Sequence, residues 1–366
     1  MKQRKSNNTG FKIKKVDFHG VDRTLFILLR SIGDVLLTTP CFREFKKFLP
    51  DSKLDIVVDD YCFDIIDGNP WVDNIYKFDR PPKFLSQKKK FYKNNLDINR
   101  KIFSRGYDLV VNFHGGPRSF FLTLLSRARY RVGFEVYYGS FLYNRRLPSP
   151  HYVLNTKDRI HQVHRKMSLL KGIGVPINSD ELEMQVKPAN HNRVNSLLAN
   201  SGIDDNAKII SINIGATRRN KLWSYEKFAS LIDILLSEMG VVVVLTGSEM
   251  ELEYEKKILE LCKNKPVSLV NRLNLKELAA LYSKSILYIG CDTGPTHIAS
   301  AMKTPVIVIF GSSDFNIWWP HKVVHKIVRK KLDCSPCAGC SKDRYYCIEN
   351  IEVDEVMAAV SDLLPH

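Results

Sequence analysis

The sequence lacks a run of about 18 apolar residues, the length that a helix needs to cross a bilayer. Its first eight residues are polar or basic apart from the initial methionine, and no apolar segment follows them, so the pattern of a secretory signal peptide is missing as well. Internal repeats are also absent, which argues against a repeat fold. We therefore expect a globular protein that stays in the cytoplasm.

Acidic residues are comparatively few: 39 Asp and Glu stand against 55 Lys and Arg, a formal net charge of +16. The excess is concentrated in residues 4–15 and in residues 83–101, which include Lys88, Lys89 and Lys90. Such clusters fit nucleic acid, an anionic membrane surface or a phosphorylated acceptor. A solvated charged surface without a partner is the plain alternative. Because no known nucleic-acid-binding module is present, we expect no nucleic-acid partner.

With 366 residues, 44% of them hydrophobic, the chain is large enough for two cores. Apolar segments that predict strands alternate with helical patterns in both halves, which is typical of parallel sheets covered by helices. We predict two Rossmann-like, doubly wound α/β domains that face a cleft. The predicted strands span residues 24–30, 53–58, 74–78, 107–113 and 130–134 in the first half, and 208–214, 241–246, 286–289 and 306–310 in the second.

Composition also predicts the domain boundaries. A basic N-terminal arm (1–20) precedes the first domain (21–175), and a polar, proline-containing linker region (176–206) follows it. The second domain spans residues 207–348, and a C-terminal helix spans residues 349–366.

The most informative motif is residues 290–297, Gly-Cys-Asp-Thr-Gly-Pro-Thr-His, which lies between two apolar segments. The pattern predicts a buried strand that passes directly into a short helix. Such a junction presents free backbone N–H groups and the positive end of the helix dipole to an anion. In an open α/β sheet, ligands bind at this edge. We expect Thr293 and Gly294 to hold a phosphorylated ligand, which glycine lets approach closely because it has no Cβ.

Together with this motif, residues 30–40 (Arg-Ser-Ile-Gly-Asp-Val-Leu-Leu-Thr-Thr-Pro) resemble the ADP-heptose:lipopolysaccharide heptosyltransferase family, glycosyltransferase family 9. The resemblance covers nearly the whole chain. It implies the GT-B fold, with an N-terminal domain that binds the acceptor and a C-terminal domain that binds the ADP-sugar. Further segments that carry it, in the family's order, are residues 107–115, 129–134, 215–223 and 334–337.

The resemblance implies that Asp34 is the general base that takes the proton of the acceptor hydroxyl. A purely structural alternative is that Asp34 caps the following helix, as aspartate often does. The resemblance also implies that Lys221, just ahead of Trp223, stabilises the departing diphosphate. A flexible ammonium group suits a shifting charge. The alternative is an ordinary exposed loop lysine.

Five further residues are candidates for the donor site. Asp292 is expected to hold sugar hydroxyls, because a carboxylate repels phosphate. His297 would bind phosphate or sugar, unless it is simply a helix histidine bonded to the backbone. Thr217 is expected to support the phosphates or the sugar with its hydroxyl group. Glu249 resembles the residue that binds ribose, although the helix dipole also favours glutamate there. Leu273 aligns with the segment that lines adenine in the family.

Candidates for the acceptor site are His114 and Arg118, which follow a predicted strand, together with the lysines at 88–90. Four cysteines near the C-terminus, spaced C-x2-C-x2-C-x6-C, either bind a structural zinc or iron ion or form a compact reduced loop. They are Cys334, Cys337, Cys340 and Cys347. No metal or other cofactor is expected for the transfer reaction itself.

The combined expectation is an inverting glycosyltransferase that moves heptose from ADP-heptose to the inner core of lipopolysaccharide. Its acceptor would be the phosphorylated lipid A–core, reached by peripheral contact with the anionic inner membrane. One alternative is a protein O-heptosyltransferase or a transferase of another ADP-sugar. A second is a basic nucleic-acid-binding protein with a vestigial nucleotide site.

Overall fold

The computed structural model describes residues 13–80, 88–334 and 345–364, although not the side chains of residues 88–92. This part of the chain forms two six-stranded sheets with helices between the strands, and all of the strand pairings are parallel. The predicted α/β class is confirmed.

The first sheet consists of strands from the N-terminal half. They are β1 (Arg23–Leu28), β2 (Lys53–Asp59), β3 (Asn74–Phe78), β4 (Leu109–Asn112), β5 (Tyr130–Phe134) and β6 (Arg145–Leu147). The helices of this half are α1 (Ile32–Leu36), α2 (Thr39–Phe48), α3 (Phe63–Ile66), α4 (Lys88–Arg105), α5 (Pro117–Leu125), α6 (Pro150–Leu154) and α7 (Gln162–Ile173).

The second sheet follows helix α8 (Pro188–Asn200). Its strands are β7 (Ile209–Asn213), β8 (Val242–Thr246), β9 (Val267–Ser268), β10 (Leu287–Cys291), β11 (Val306–Phe310) and β12 (His325–Arg329). The remaining helices are α9 (Tyr225–Glu238), α10 (Leu252–Leu261), α11 (Leu275–Lys284), α12 (Gly294–Ala301), α13 (Phe315–Trp318), α14 (Tyr346–Glu349) and α15 (Val353–Leu363). In the described residues, none of the helices has the length and apolar character that crossing a membrane requires.

The two sheets have equivalent strand orders, β3-β2-β1-β4-β5-β6 and β12-β11-β10-β7-β8-β9. In the first sheet the order reverses between β1 and β4, and in the second between β7 and β10. Connections leave such a point in opposite directions, so a crevice opens at the carboxyl ends of the two central strands. Residues that follow β1, β4, β7 and β10 are therefore placed to bind ligands.

All nine predicted strands are present, with small shifts at their ends. The prediction missed β6, β9 and β12, and each of these is an outer strand of its sheet or very short. An outer strand has a neighbour on one side only, so its residues are less uniformly apolar than those of a central parallel strand. The sequences Arg-Arg-Leu in β6 and His-Lys-Ile-Val-Arg in β12 show this directly.

Several helices begin where their sequence dictates. Proline occupies the first turn of α5, α6, α8 and α12, where a missing N–H removes no intrahelical hydrogen bond. Helix α8 lies within the segment predicted as a linker, and its proline at position 188 is one of these helix starts. The proline signal in that segment therefore marks a helix N-terminus inside the connection.

The described residues group into two compact units, and both are discontinuous in sequence. The first unit comprises Met1–Arg30, Pro40–Phe63 and Pro70–Asp180, and the second comprises Ser31–Thr39, Asp64–Asn69 and Glu181–His366. Helix α1 thus belongs to the second unit, although it lies within the segment predicted as the N-terminal domain. The domain boundaries given by composition stay predictions.

Trp223 lies at the centre of the second unit's apolar core. Its side chain is fully buried, and its ring packs edge-to-face on Phe228 at 5.0 Å between centroids. The indole Nε1 donates a hydrogen bond of 2.9 Å to the carbonyl oxygen of Ile351, just before α15. This residue therefore anchors both the loop after β7 and the C-terminal helix to the same core.

We expect Trp223→Ala to lower the free energy of unfolding by about 3–5 kcal/mol, because it leaves a cavity and removes the indole donor. Trp223→Phe should cost clearly less, because Nζ of Lys227 also donates to the Ile351 carbonyl, at 2.9 Å. Urea denaturation of both variants measures the difference. Equal losses for the two variants would show that the ring volume is unimportant.

Candidate active site

The carboxyl ends of β7 and β10 bring two of the candidate residues together. Lys221 lies in a 3₁₀ helix, Arg219–Lys221, in the loop after β7, and Asp292 follows β10 directly. The Nζ atom of Lys221 donates a hydrogen bond of 2.7 Å to Oδ2 of Asp292 and one of 3.4 Å to its carbonyl oxygen. Because the Asp292 side chain is only 5% exposed, this ion pair is partly shielded from water. It holds a cation where the strand order reverses.

Contacts on both sides of Lys221 hold the loop that carries it. Trp223 anchors it on one side, as described above. On the other side, the carbonyl oxygen of Asn220 accepts a hydrogen bond of 3.4 Å from the backbone N–H of Ser312. A Cβ atom on Gly311 would collide with that same carbonyl oxygen, so the loop lies directly against the end of β11. Lys221 is therefore positioned by its surroundings as well as by its ion pair.

Helix α12 begins immediately after Asp292. Thr293 is its N-cap, but the hydroxyl makes no capping hydrogen bond and instead donates to the carbonyl oxygen of Cys291 at 3.3 Å. Thr296 donates to the same carbonyl oxygen at 2.6 Å. The first turn of α12 is thus not capped by its own N-cap side chain. Its positive end lies beside the Lys221–Asp292 pair and is suited to an anion.

Helix α1 packs closely against α12, and two glycines make this possible. A Cβ atom on Gly33 would lie 2.7 Å from Cδ2 of His297, and one on Gly294 would lie 2.9 Å from Cγ2 of Ile32. Real Cβ atoms do not approach other atoms this closely. The sequence analysis attributed Gly294 to close approach of a phosphate, whereas the structure shows that helix packing alone already requires glycine here.

Asp34 lies on α1 in the second unit and is 7% exposed. The N-cap of α1 is Ser31, whose Oγ accepts from the backbone N–H of Asp34 at 3.5 Å and donates to its Oδ2 at 3.0 Å. The alternative interpretation of Asp34 as the N-cap is therefore wrong. Ser31 performs that role and at the same time orients the Asp34 carboxylate.

His297, the last residue of the 290–297 motif, lies on α12 with its ring against Gly33 of α1, next to Asp34 in sequence. It is 2% exposed, and its Nδ1 atom is buried without a hydrogen-bond partner among the described residues. Burial lowers the pKa of His297, while the nearby charges of Asp292 and Asp34 act in the opposite direction. The histidine is thus a buried imidazole under the influence of both carboxylates. The structure places Asp34, Asp292 and Lys221 in one electrostatic environment.

Two other donor-site candidates belong to the same unit as Lys221 and Asp292 and are less buried than Asp292. Thr217 is exposed in the loop after β7. Leu273 is half-buried immediately before Asn274, whose side chain accepts hydrogen bonds from the backbone N–H groups of Lys276 and Glu277 at the start of α11. Their assignment to the nucleotide stays a prediction.

Glu249 is exposed in a 3₁₀ helix, Glu249–Glu251, after β8. The neighbouring Glu251 is more constrained, because its Oε2 accepts hydrogen bonds of 2.7 Å from both the backbone N–H and the hydroxyl of Ser248. A Cβ atom on Gly215, just after β7, would lie 2.7 Å from Cδ of Glu251. The carboxylate that reaches the end of β7 is therefore that of Glu251, which the sequence analysis did not consider. Its signal was the Ser-x-x-Glu capping pattern.

In the first unit, His114 follows β4 and lies next to β1. The side chain of Asn112 accepts hydrogen bonds from the backbone N–H groups of His114, at 2.9 Å, and Gly115, at 3.2 Å, which fixes the turn. The pKa of His114 is lowered to about 4, mainly by partial burial and also by the positive charges of Arg30, Arg118 and Lys166, while a hydrogen bond to the Leu29 backbone opposes the shift. His114 is therefore neutral near pH 7.

Arg118 belongs to a network around a buried carboxylate. Asp59, at the end of β2, is fully buried and forms ion pairs with Arg118 and, at 3.1 Å, with Nε of Arg80. The Arg118 guanidinium also lies 5.2 Å from the centroid of the Phe78 ring, and that of Arg80 lies 4.2 Å from the Tyr61 ring. One carboxylate thus orients two guanidinium groups at the carboxyl edge of the first sheet. Such a pair suits a phosphorylated ligand.

Two groups of candidates lie partly outside the residues that the structure describes. Lys88, Lys89 and Lys90 form the first turn of α4, but their side chains are outside the described residues. Of the four C-terminal cysteines, Cys334 is exposed and Cys347 is buried. Cys337 and Cys340 lie outside the described residues.

The comparison with known families matches this architecture. The model of glycosyltransferase family 9 (heptosyltransferase) matches residues 96–346, more than half of the chain. The chain belongs to this family. It is therefore a glycosyltransferase, and its two parallel sheets are those of the GT-B fold. The resemblance derived from the sequence motifs is confirmed.

Individual relatives cover nearly the full length of the heptosyltransferase. Lipopolysaccharide heptosyltransferase 3 of Escherichia coli is 27% identical over 341 residues, which cover 92% of this chain and 98% of that relative. A solved glycosyl transferase family 9 structure from Veillonella parvula superimposes with a TM-score of 0.79 at 22% identity, covering 93% of this chain and 97% of that one. The E. coli heptosyltransferase WaaC with ADP gives 0.70 at 19% identity, with coverages of 93% and 100%.

The sequence analysis of the heptosyltransferase missed Asp59 and Arg80 as well as Ser31. Asp59 follows the strand predicted at 53–58, and Arg80 lies two residues beyond the strand predicted at 74–78. The general rule that ligands bind at the carboxyl ends of parallel strands was therefore sufficient to find them.

We expect the imidazole C–H resonance of His114 to titrate with a midpoint near pH 4 in NMR spectra of the folded enzyme. The unfolded chain binds this proton at about pH 6.5, so the enzyme should lose stability as the pH falls from 6.5 towards 4. His114→Gln should reduce that loss in urea denaturation at several pH values. A midpoint near 6.5, together with an unchanged pH dependence in the variant, would contradict the assignment.

Proposed function

We propose that this heptosyltransferase is an inverting enzyme that transfers heptose from ADP-heptose to the inner core of lipopolysaccharide. The observation that carries the proposal is the packing of α1 on α12, which brings Asp34 into the environment of His297, Asp292 and Lys221. A candidate base and a candidate diphosphate site are the two elements that transfer from a nucleotide sugar requires. The similarity to E. coli lipopolysaccharide heptosyltransferase 3 supports the choice of acceptor.

In the proposed donor complex, the diphosphate of ADP-heptose lies against the start of α12 and the ammonium group of Lys221. The ion pair with Asp292 keeps that ammonium group in place before the donor binds. Asp292 then holds heptose hydroxyls, and His297 donates to the phosphate or the sugar. We assign adenosine to the segment around Leu273, with the ribose hydroxyls bound by Glu249. The solved WaaC structure with ADP supports a nucleotide diphosphate donor.

In the proposed reaction, the acceptor hydroxyl attacks the anomeric carbon of heptose from the side opposite the diphosphate. A bond forms between the acceptor oxygen and that carbon, and the bond from the carbon to the β-phosphate oxygen breaks. The hydroxyl proton passes to Asp34, whose carboxylate is oriented by Ser31, and ADP leaves with both electrons of the broken bond. Lys221 and the helix dipole stabilise the charge that develops on ADP, so we propose that no metal or other cofactor takes part.

We assign the acceptor to the first unit. Its phosphate groups would bind Arg80 and Arg118, which Asp59 holds in place, with help from the lysines at 88–90. A neutral His114 would contribute hydrogen bonds without adding charge. The proposed substrate is a phosphorylated lipid A–core on the cytoplasmic face of the inner membrane. This arrangement uses the positive charge of the chain for substrate binding.

The experiment that tests the proposal measures ADP release from ADP-heptose with heptose-truncated lipopolysaccharide. We expect acceptor-dependent release by the wild type and a loss in kcat of about 10²–10⁴-fold in Asp34→Asn, because a general base contributes that much. ADP binding by the variant, measured by calorimetry, should stay within a few-fold of wild type. Asp205→Asn is the matched control, since that carboxylate is 86% exposed in the same unit.

Two outcomes would contradict the proposal. If Asp34→Asn retains turnover, another residue is the base. If the wild type binds ADP but releases none from ADP-heptose in the presence of any truncated lipopolysaccharide, the acceptor is of another class. Protein acceptors and other ADP-sugars would then be tested in the same assay.

We expect Lys221→Met to weaken ADP binding and to lower kcat/KM by about 10²-fold or more, because it removes a cation from a partly buried diphosphate site. Lys221→Arg should recover part of the loss, since it restores the charge with a different shape. The exposed Lys208 of the same unit serves as the control in Lys208→Met. Wild-type kinetics in Lys221→Met would remove this residue from the proposed mechanism.

A further inference from the structure

An apolar surface lies exposed on the first unit, and the proposed reaction does not use it. Phe121 and Leu124 on α5 are each 49% exposed. Val136, Tyr138 and Phe141, in the segment after β5, are 74%, 59% and 78% exposed. We call these five residues the aromatic patch. Single exposed apolar side chains are normal, whereas a cluster of large ones indicates an interaction surface.

The two parts of the aromatic patch are carried by elements that pack on each other. Phe120, which precedes Phe121 on α5, packs edge-to-face on Tyr138 at 5.4 Å and on Phe141 at 5.9 Å between ring centroids. Helix α5 also contacts the 3₁₀ helix Ser140–Leu142. These contacts tie the segment after β5 to the helix. The exposed rings are thus displayed by a packed scaffold.

Cationic side chains are exposed on α4 and just after α5. Arg127 and Arg129 are exposed just beyond the end of α5, and the Arg127 guanidinium lies 5.3 Å from the centroid of the Phe103 ring on α4. Helix α4 packs against α5 and exposes Arg100 and Lys101. We call these four cations the cationic rim. It places positive charge beside apolar side chains over two adjacent helices.

The segment that contains the aromatic patch and the cationic rim has a high net positive charge, even for a basic protein. Residues 93–146 contain ten Lys and Arg but only three Asp and Glu. The segment therefore carries seven of the sixteen net positive charges of the whole chain. Arg105 and Arg118 of this segment are paired with Asp55 and Asp59, so the exposed cations of the rim are the ones available to a partner. Large exposed apolar side chains together with such cations are complementary to an anionic lipid headgroup layer above hydrocarbon.

We propose that the aromatic patch and the cationic rim dock the heptosyltransferase on an anionic bilayer. The patch side chains enter the boundary between headgroups and acyl chains, where tyrosine and phenylalanine are favoured, and the rim binds lipid phosphates. The inference rests on the proposed function, because a lipid-anchored acceptor is presented at such a surface. Docking would keep the enzyme where its acceptor is concentrated.

Two other occupants fit the observations less well. A second copy of the chain joined through the same surface would bring two cationic rims together, and like charges at a contact repel. Single-stranded nucleic acid stacks its bases on aromatic rings, but Leu124 and Val136 are aliphatic and offer no stacking face. An anionic bilayer offers an apolar layer to every residue of the aromatic patch and phosphate groups to every residue of the cationic rim.

The test is flotation of the full chain with vesicles of equal parts phosphatidylglycerol and phosphatidylcholine, and with vesicles of phosphatidylcholine alone. We expect the wild type to bind the anionic vesicles more strongly. Val136→Ser combined with Phe141→Ser should reduce that binding by about tenfold or more, because two exposed apolar anchors are lost. The matched control is Leu261→Ser combined with Val324→Ser, which removes two apolar side chains of the second unit that are 50% and 65% exposed.

A charge variant separates the two parts of the surface. Arg127→Gln combined with Arg129→Gln should weaken binding to anionic vesicles and leave the weak binding to phosphatidylcholine unchanged. Thermal unfolding of every variant is measured alongside, and we expect shifts of no more than a few degrees because all altered side chains are exposed. Flotation is interpreted only for variants that remain folded by this criterion.

The outcomes distinguish this inference from the proposed function. ADP release is measured with a deacylated, water-soluble core acceptor and with acceptor embedded in vesicles, and the patch variant should be impaired only with the latter. If no acceptor supports turnover, the proposed function fails while flotation still tests the docking surface. Equal flotation of wild type and patch variant, or no flotation of the wild type, would overturn the docking surface. So would a concentration-dependent dimer that the patch variant abolishes.

Discussion

The close contact between helices α1 and α12 is the constraint on which the site depends. Neither Gly33 nor Gly294 has room for a Cβ atom, because His297 and Ile32 fill the space on the facing helix. Larger residues at either position would separate the helices and move Asp34 away from residues 290–297. The short segment Ser31–Thr39 thereby becomes part of the second unit, and a residue encoded near the start of the chain joins residues encoded near its end.

In each unit, a carboxylate that follows or ends a strand forms ion pairs with one or two long cationic side chains. In the second unit Asp292 holds Lys221, and in the first unit the buried Asp59 holds Arg80 and Arg118. A long cationic side chain loses conformational entropy when it binds a phosphate. A carboxylate that orients the cationic side chain before the phosphate binds removes part of that entropy cost. The net charge of each cluster depends on the other charged groups around it. Preorganised cations therefore recur at the carboxyl edges of both sheets.

Sequence alone predicted the central strands, because parallel strands such as β11 are continuous apolar segments, and it predicted the donor motif through the strand-to-helix junction at Asp292. It missed outer strands such as β12, in which polar residues interrupt the apolar ones. The roles of Ser31 and Glu251 depend on which of several neighbouring polar side chains forms hydrogen bonds within the fold. That choice is made by tertiary contacts, such as those of Gly215 with Glu251, and local composition carries little information about it.

The discontinuity of the two units restricts how this enzyme can be recombined. A chimera joined at the linker would take α12 from one parent and α1 from the other. The two glycines and the residues that face them would then come from different proteins, and any mismatch of volume would increase the distance between Asp34 and the start of α12. Exchange of the C-terminal half between relatives therefore has to include residues 31–39, because the second unit is compact but is encoded by separate segments of the gene.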